Sequence, residues 1–464
     1  MLPALLLSLI CRESRSTGAY LISLGIILLL AGLLVLLSRG EKAGEFYEKE
    51  GLACAGISWI IMGLTGALPF WISGAIPAYI DAFFESVSGF TTTGASILSE
   101  VEGLGKSLLY WRSFTHWLGG MGVLVFLLAL LPQGSRGSGF TLHILKAESP
   151  GPDVGKLVPQ LSHTAQILYL IYIGLTALDI LLLSFGMPLF DAVCIALGTA
   201  GTGGFAVTNA GLGGYSPYVQ WITTLFMFLF GVNFSCYYLL IRKRPGSVFK
   251  DGELRFYFLT LLGAGLFIAL NIYQPGQGAE ETLRASFFQA ASIMSTTGFA
   301  TTDFNLWPSF AKGILIFLTI LGASAGSTGG GMKCIRFQLI LKDLHSNLRR
   351  MIRPGRVYLV RSNGKPVNDG VLSNLRTYLS AYVVIALVSF LLLTLDGKDL
   401  STSVTAMLAC FNNVGPGLEG VGPMANYGSF SVLSKLVLIF DMLAGRLEIF
   451  PIIALLSRTT WDHR

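Results

Sequence analysis

The sequence predicts an all-α membrane protein, in which four pseudo-repeated helix–pore loop–helix units surround a central pore and an extra N-terminal helical segment precedes them. Two observations lead to this fold class: apolar stretches of membrane-spanning length, and four similar glycine-bearing segments in the connections between them. Hydrophobic residues make up 53% of the chain and charged residues 12%, whereas soluble domains carry about 25% charged residues. Most of the chain is therefore expected to lie in lipid.

Nine stretches are apolar enough to cross a bilayer, whose hydrocarbon core of about 30 Å takes about 20 helical residues. They are 18–38, 53–76, 107–132, 162–186, 217–241, 254–274, 310–327, 374–396 and 430–457. The opening run 1–11 is also apolar but too short, so we expect an incomplete additional helix there. A signal peptide is the competing interpretation of this run, but no basic segment precedes it and no clear small-residue cleavage site follows.

The distribution of charge predicts the orientation of these spans. The segments 39–52, 133–161, 242–255, 333–376 and 458–464 hold about 23 of the 32 Lys and Arg residues, whereas the alternate connections hold only Lys106, Arg284 and Lys398. By the positive-inside rule the first set faces the cytoplasm. This topology accounts for the net positive charge of the chain, +6, so the charge gives no reason to expect a nucleic-acid partner. For the most basic segment, 333–376, a docking surface for a cytosolic partner remains a second interpretation.

The chain has no recognisable catalytic or metal-binding motif. Its six cysteines and five histidines are scattered, without a CxxC pair or an HExxH sequence. We therefore expect neither an enzyme nor an organic cofactor on this chain.

Four outward-facing connections share one pattern, a short amphipathic segment that runs into a turn with glycine. They read DAFFESVSGFTTTGAS (81–96), FDAVCIALGTAGTGGFAV (190–207), LRASFFQAASIMSTTGFAT (283–301) and LSTSVTAMLACFNNVGPGL (400–418). Alignment on the turns places Gly94, Gly204, Gly298 and Gly415 in register, so one unit is about 105 residues long. The predicted organisation is an extra helical segment at 1–50 and repeats at 51–132, 133–246, 247–345 and 346–464, the third of which carries a Gly-rich loop.

These segments predict re-entrant pore loops. Half-helices of about 12 residues cannot span the bilayer, and irregular backbone at membrane depth survives only where it is buried in protein or lines a watery cavity. A single TTG sequence would be read as a site of close helix packing, but four turns in register favour convergence on one axis.

The composition of the turns predicts a potassium site built from backbone carbonyl oxygens. Glycine allows the positive φ that turns successive carbonyls inward, rings of carbonyls can replace the hydration shell of K⁺, and the carboxyl ends of the half-helices favour a cation. The predicted filter residues are Thr92, Thr93, Gly94, Thr202, Gly203, Gly204, Thr296, Thr297, Gly298, Asn413, Val414 and Gly415.

Six motifs occur in order along the chain: FFESVSGFTTTGA, HWLGGMGVLV (116–125), STTGFATTD, AGSTGGGMK (325–333), NNVGPGL and MLAGRLEIF (442–450). From about residue 51 to residue 461 the sequence resembles the bacterial Trk/Ktr potassium-uptake family, most closely its TrkH-type membrane subunit. The resemblance implies a multi-pass homodimer in a bacterial or archaeal cytoplasmic membrane, with one fourfold pseudosymmetric pore per protomer. It also implies K⁺ as the transported ion and a cytosolic, TrkA-like nucleotide-binding subunit that gates the pore.

Two features depart from the family pattern. The run 1–11 is short where the family branch has a full extra helical hairpin. The second pore loop reads TGG in place of TTG, which suggests that a side-chain hydroxyl is not required in every loop.

The Gly-rich loop is expected to interrupt the helix before it, since each glycine in a helix costs about 1 kcal/mol relative to alanine. A phosphate-binding loop is disfavoured because its lysine stands one place late, no Ser or Thr follows it, and no strand precedes it. A passive kink remains one interpretation. The family resemblance implies a movable gate beneath the filter, formed by Gly326, Ser327, Thr328, Gly329, Gly330 and Gly331.

Arg446 lies in the last apolar stretch, where an ionisable residue is costly and is by default a functional candidate. A structural ion pair with Asp441 or Glu448 is one interpretation. The family resemblance favours the other, in which the guanidinium reaches the Gly-rich loop and forms part of the gate.

Several polar residues near the pore loops have two interpretations. Asp81, Asp191 and Glu85 could concentrate cations at the outer mouth, although capping of half-helices accounts equally well for the two aspartates. His116 is predicted to be a packed polar residue, and the following glycines to allow close packing of an inner helix.

Two other functions compete with a potassium pore. A potassium-binding subunit of a Kdp-type ATPase would predict a longer chain, and the AGSTGGGMK and GRLE sequences fit it less well. A membrane-embedded enzyme would need clustered nucleophiles or histidines near the midplane, which the sequence lacks.

Overall fold

The computed structural model describes residues 1–39, 48–122, 161–276, 278–353 and 358–461, and their regular structure is nearly all helical. The strands in these ranges form one short hairpin, β1 (Arg361–Ser362) with β2 (Lys365–Pro366). The helices are α1 (Leu2–Ile10), α2 (Ser14–Leu37), α3 (Glu48–Ile72), α4 (Tyr79–Phe90), α5 (Lys106–Gly120), α6 (Leu161–Leu183), α7 (Leu189–Gly201), α8 (Pro217–Phe230), α9 (Phe234–Ile241), α10 (Pro245–Phe249), α11 (Gly252–Ile272), α12 (Ala279–Met294), α13 (Ser309–Leu321), α14 (Cys334–Ile352), α15 (Asp369–Leu393), α16 (Leu400–Phe411), α17 (Val432–Arg446), α18 (Phe450–Leu456) and α19 (Arg458–Trp461).

Within the described residues, five helices are long and apolar enough to cross a membrane: α2, α3, α6, α11 and α15. Helices α8 and α9 would make a sixth span if taken together, but they meet at an angle of 89°. The part of the predicted span 107–132 beyond residue 122 lies outside the described residues, as does most of the predicted cytoplasmic segment 133–161.

Three of the nine predicted spans are not continuous helices, which corrects the expectation from hydropathy. The span 217–241 breaks between Phe230 and Phe234. The span 310–327 ends at Leu321, because Gly322 leaves the helical region with a φ of 69°. The span 430–457 is interrupted after Arg446, where Glu448 and Ile449 adopt φ values of 54° and 73°. Apolar composition does not reveal such breaks, since the interrupted segments remain as hydrophobic as their neighbours.

Four half-helices alternate with the long helices. They are α4, α7, α12 and α16, of 12, 13, 16 and 12 residues, and each packs against the long helix that precedes it. At 1.5 Å per residue the longest reaches about 24 Å, less than the hydrocarbon core of about 30 Å. At each of these helices the chain therefore enters the membrane region and returns through the following loop without crossing it.

The run 1–11 forms α1, a helix of nine residues that packs on α2 and α5. Its buried Ser8 hydroxyl lies 2.9 Å from the hydroxyl of Thr17 in α2. The expectation of a short, incomplete helix is confirmed for this segment.

Two large groups of buried side chains hold the pore loops. The first group joins α3–α5 to α15–α18, with Trp59, Phe84, Phe411 and Leu438 among its members. The second joins α6–α8 to α11–α13 and includes Ile195, Met227, Phe288 and Leu318. Large apolar side chains on the outer helices stay exposed, as expected for surfaces that face lipid tails.

Candidate ion pathway

The four half-helices end in the same way. We call the residues that follow them pore loops 1–4: 92–94, 202–204, 296–298 and 413–415. In each loop the first residue is left-handed, with φ of 56° at Thr92, 57° at Thr202, 62° at Thr296 and 54° at Asn413. The loop glycines adopt φ of 77°, 76°, 83° and 93° in the same order. A left-handed conformation costs a residue with a Cβ atom roughly 1–2 kcal/mol. The same left-handed residue at the same position of all four loops therefore indicates that the four repeats share one backbone conformation.

Two hydrogen bonds per loop produce this ending. The amide of the middle loop residue donates to the carbonyl five residues earlier, at 2.9 Å for Thr93 to Ser88, 2.9 Å for Gly203 to Gly198, 2.8 Å for Thr297 to Ser292 and 2.8 Å for Val414 to Ala409. The amide of the first loop residue donates to the carbonyl three residues earlier in every case. This pair of bonds is the Schellman motif, which satisfies carbonyls at a helix carboxyl end. It fixes the half-helix axis relative to the loop.

The loop glycines bring the four loops into a closed ring. A Cβ atom on Gly94 would collide with the carbonyl oxygen of Gly203 in loop 2. Gly204 has the same relation to Thr297 in loop 3, Gly298 to Val414 in loop 4, and Gly415 to Thr93 in loop 1. Each glycine therefore lies against the carbonyl that precedes the glycine of the next loop, in the order 1–2–3–4–1. The four predicted positions meet around one axis.

Loop 2 lacks a side chain at Gly203 for a steric reason. A Cβ atom there would collide with the imidazole of His116 in α5. The His116 Nδ1 donates to the Gly89 carbonyl at 2.8 Å, which leaves Nε2 to accept from the Phe205 amide at 3.3 Å. His116 is thus a buried connector between α4 and loop 2.

The side chains of the other loops are directed at protein groups. The Thr93 hydroxyl lies 2.8 Å from that of Thr91, and the Thr297 hydroxyl lies 2.7 Å from that of Ser295. In loop 4 the Asn413 Nδ2 donates to Thr93 Oγ1 at 3.0 Å. Inward-facing backbone carbonyls therefore remain a prediction for these loops. The Gly415 carbonyl differs from the expectation of a carbonyl left for an ion, because it accepts a hydrogen bond from the Tyr427 hydroxyl at 2.7 Å.

An outer cavity of about 230 Å³ has the four loop glycines among its lining residues. No acidic side chain is among its described lining residues. Asp81 forms an ion pair with Lys435 at 2.5 Å, Asp191 accepts from the Tyr215 hydroxyl at 2.9 Å, and Glu85 pairs with Arg112. The two aspartates lie in the first turns of α4 and α7, but the N-cap positions are Ala78 and Pro188. These three carboxylates therefore serve structural pairs instead of the cavity wall.

Residues 322–333, between α13 and α14, form a non-helical segment that we call the inner loop. Its Gly330 amide donates to the Thr296 hydroxyl in pore loop 3 at 2.6 Å. A Cβ atom on Gly330 would lie 2.6 Å from the carbonyl of Asn412, next to pore loop 4. On the other side, the Gly326 carbonyl accepts from Phe234 at 2.9 Å, at the break between α8 and α9. The inner loop therefore lies against the half-helix side of the ring.

Arg446 joins the inner loop to pore loop 1. Its guanidinium donates to the Thr328 carbonyl at 2.8 Å, to Thr92 Oγ1 at 3.2 Å and to the Gly120 carbonyl at 2.7 Å. The carboxylates considered as its alternative partners are occupied by other groups: Glu448 pairs with Arg336, and Asp441 accepts from Ser389 at 2.6 Å.

Sequence reasoning missed two polar links around this site. The Glu253 carboxylate accepts from the amides of Ala325 and Ile335 at 2.7 and 3.2 Å, and so connects the inner loop to the first turn of α14. The Glu85–Arg112 pair is the other. The available signal was the presence of ionisable residues in apolar segments, which require partners, although the partners are distant in sequence.

Comparison with known proteins agrees with this geometry. A family model described as "Cation transport protein", TrkH, matches residues 20–461. The Trk system potassium uptake protein TrkH of Salmonella typhimurium is 35% identical, with 98% of this chain and 94% of that protein covered, and its counterpart in Escherichia coli K12 is 34% identical over the same shares.

A solved structure is also similar. The crystal structure of the potassium transporter TrkH from Vibrio parahaemolyticus superimposes with a TM-score of 0.88 at 31% identity, covering 99% of this chain and 96% of that one. This likeness confirms the predicted fold class, and the family match gives no support to a Kdp-type subunit. The chain is a multi-pass membrane protein that belongs to the TrkH family of cation transport proteins.

Proposed function

We propose that the chain is the channel-like permeation subunit of a Trk-type potassium-uptake system, and that K⁺ crosses the cytoplasmic membrane through the ring of pore loops 1–4. The observation that carries this proposal is the closed ring of contacts between the pore loops, in which each loop glycine lies against the next loop. These glycines are Gly94, Gly204, Gly298 and Gly415. The names of the relatives, which are potassium uptake proteins, support K⁺ as the ion.

The selectivity filter in this proposal consists of backbone carbonyls. The hydroxyls of Thr93 and Thr297 already have protein partners, so carbonyl oxygens replace the hydration shell of the ion. The carboxyl ends of α4, α7, α12 and α16 adjoin the loops, and their partial negative charge favours a cation over an anion.

The inner loop and Arg446 form the gate in this proposal. The guanidinium touches both pore loop 1 and Thr328, so a positive charge stands next to the half-helix end of the filter. Such a charge opposes the approach of a cation, by an amount that is large at short range in a partly desolvated site. Movement of the inner loop away from the axis would withdraw its carbonyls from Arg446 and open the path.

The partner in this proposal is a cytosolic, TrkA-like nucleotide-binding subunit that acts on a homodimer of the chain. Helix α14 continues directly from the inner loop and carries the exposed Lys342, Arg349 and Arg350. A protein that binds this basic helix could therefore move the inner loop through a rigid element. The involvement of other components is supported by the designation of the relatives as parts of a Trk system.

Ion flux through the purified protein in liposomes tests this function. We expect flux of K⁺ to exceed that of Na⁺, to follow the membrane potential at about 2.3 kcal/mol per charge per 100 mV, and to rise when a TrkA-like partner with nucleotide is added. Protein-free liposomes are the control. Equal K⁺ and Na⁺ flux, or no K⁺ flux even with the partner present, would contradict the proposal.

A further inference from the structure

A buried ion pair adjoins pore loop 1, and its arginine, Arg112, is among the residues that line the outer cavity. The Arg112 guanidinium in α5 and the Glu85 carboxylate in α4 approach to 2.8 Å, and their side chains are 2% and 0% exposed. Removing two charges from water is costly, and a buried pair is often no more stabilising than apolar side chains of similar volume. Its presence calls for a reason beyond stability of the fold.

The pair holds the outer ends of two pore loops. Glu85 accepts from the Ser96 hydroxyl at 3.0 Å and from the Ile97 amide at 3.0 Å, two and three residues beyond Gly94. Arg112 donates to Ser96 Oγ at 3.2 Å and to the Ala206 carbonyl, two residues beyond Gly204, at 3.3 Å. Its guanidinium also lies over the ring of Phe205, 4.0 Å from the centroid. One side chain therefore connects loop 1 to loop 2.

In repeats 3 and 4, neutral side chains accept the hydrogen bond from the backbone amide that lies three residues beyond the loop glycine. Gln289 stands nine residues before Gly298, as Glu85 stands nine before Gly94. With its amide oriented to satisfy both neighbours, its oxygen accepts from the Thr301 amide at 3.1 Å. In repeat 4 the Thr405 hydroxyl accepts from the Leu418 amide at 3.0 Å. The amide three residues beyond the glycine is thus held without charge at loops 3 and 4.

Loop 2 differs, because the residue nine before Gly204 is the apolar Ile195, which cannot accept a hydrogen bond. Its outer end receives Arg112 from α5 instead. The charge on Glu85 is then accounted for as the counter-ion that allows an arginine to be buried at this junction.

We propose that Glu85 and Arg112 are positioning residues for ion discrimination: they fix the outer ends of pore loops 1 and 2 relative to each other and so set the spacing of ion ligands on that side of the ring. This inference rests on the potassium permeation proposed above. Neither side chain serves as an ion ligand.

The test is a double-mutant cycle with two readouts, the K⁺/Na⁺ flux ratio in liposomes and the thermal stability of the purified protein. Glu85→Gln preserves the acceptor for Ile97, as Gln289 does for Thr301, but leaves Arg112 without a counter-ion. Arg112→Gln removes the link to Ala206. We expect each single variant to lower both the melting temperature and the flux ratio, the latter by about three- to tenfold, the range for one or two lost hydrogen bonds.

The double variant Glu85→Gln, Arg112→Gln separates positioning from simple stability. With no uncompensated charge left, its melting temperature should return toward that of the parent, while its flux ratio should remain low because the Ala206 carbonyl has lost its link to Arg112. Lys435→Gln is the matched control: it breaks an ion pair to Asp81 in the same half-helix, away from the loops, and should leave the flux ratio unchanged.

Recovery of both readouts in the double variant would overturn the proposal, as would a parent-like flux ratio in Arg112→Gln. If that variant fails to fold, Arg112→Lys and Ser96→Ala decide: a reduced ratio in either supports the inference, and parent-like ratios in both overturn it. A parent protein that conducts no K⁺, or does not prefer K⁺, would instead refute the function on which the inference rests.

Discussion

At the residue scale, the four loop glycines meet two requirements that no other residue type satisfies together. Each adopts a positive φ, and each faces a carbonyl oxygen of the next loop at a distance that leaves no room for a Cβ atom. Torsional freedom and close approach are separate physical demands. A substitution at these positions therefore changes the geometry of two loops at once.

Replacing Gly298 by Ser should lower the K⁺/Na⁺ flux ratio by about tenfold or more, since a loss of 1.4 kcal/mol in discrimination already corresponds to tenfold. The new Cβ atom would displace the Val414 carbonyl. Gly313→Ser is the matched control, because a Cβ atom at Gly313 in α13 meets nothing within 4 Å. Both proteins should insert normally. Unchanged selectivity in Ser variants of all four loop glycines would show that the pore loops are misassigned.

Replacing Arg446 by Gln should raise cation flux in the absence of the cytosolic partner. The change removes the positive charge beside Thr92 while it keeps a donor for the Thr328 carbonyl. Loss of one full charge in a partly buried site predicts an increase of about tenfold or more. Arg284→Gln, which breaks an ion pair with Glu280 in the first turn of α12, should have no such effect. A variant that inserts normally and conducts like the parent would contradict a gating role.

At the element scale, the inner loop is the segment to which the proposed function assigns movement. It has no regular structure of its own, and polar contacts hold it to pore loop 3, to the α8–α9 break, to Glu253 and to Arg446. Elements that move in regulation belong to the less stable parts of a structure. Its two ends continue into α13 and α14, which can carry a displacement from the cytosolic side.

Deleting residues 328–330 should therefore raise basal flux, because it removes the backbone that lies against pore loops 3 and 4. The effect should be less than additive with Arg446→Gln, since Arg446 donates to the Thr328 carbonyl and contacting residues share their effects. Partner-free flux of the two single variants and the combined variant measures this. Flux that only falls on deletion would exclude a blocking role for the inner loop.

The sequence predicted which segments are helices and pore loops better than it predicted where the helices break. The register of the four glycines could be read directly, because a re-entrant turn needs glycine wherever φ is positive and backbones meet. The break at 447–449 could not, because Glu448 and Ile449 take left-handed conformations without glycine, and the uniform hydropathy of 217–241 does not reveal the break at 231–233. The Arg446 contact with Thr328 was expected from a family resemblance. The Glu85–Arg112 pair was not, because the sequence does not indicate which residues of different helices will meet.

At the scale of the whole molecule, hydropathy, charge asymmetry and the repeat pattern together predicted the fold class and the membrane location. The domain boundaries remain predictions, and the boundary at 132/133 lies outside the described residues. Gly203 illustrates what sequence alone cannot explain. Its departure from the other loops has its physical cause in His116, a residue of another helix, which occupies the space of a side chain.

The pairing of the two buried groups has a consequence for biosynthesis. Trp59 and Phe84 of repeat 1 share their apolar surroundings with Phe411 and Leu438 of repeat 4, whereas the middle repeats pack mainly with each other and also enclose Val414 and Leu418 of repeat 4. Chains emerge from the ribosome amino end first and domains fold in that order where they can. Repeat 1 therefore lacks part of its apolar surroundings until repeat 4 has been synthesised. Repeats 2 and 3 can pack against each other earlier. The ring of pore loops can therefore close only after pore loop 4 has been translated, so a shorter chain would hold its central pair of repeats without a finished ring.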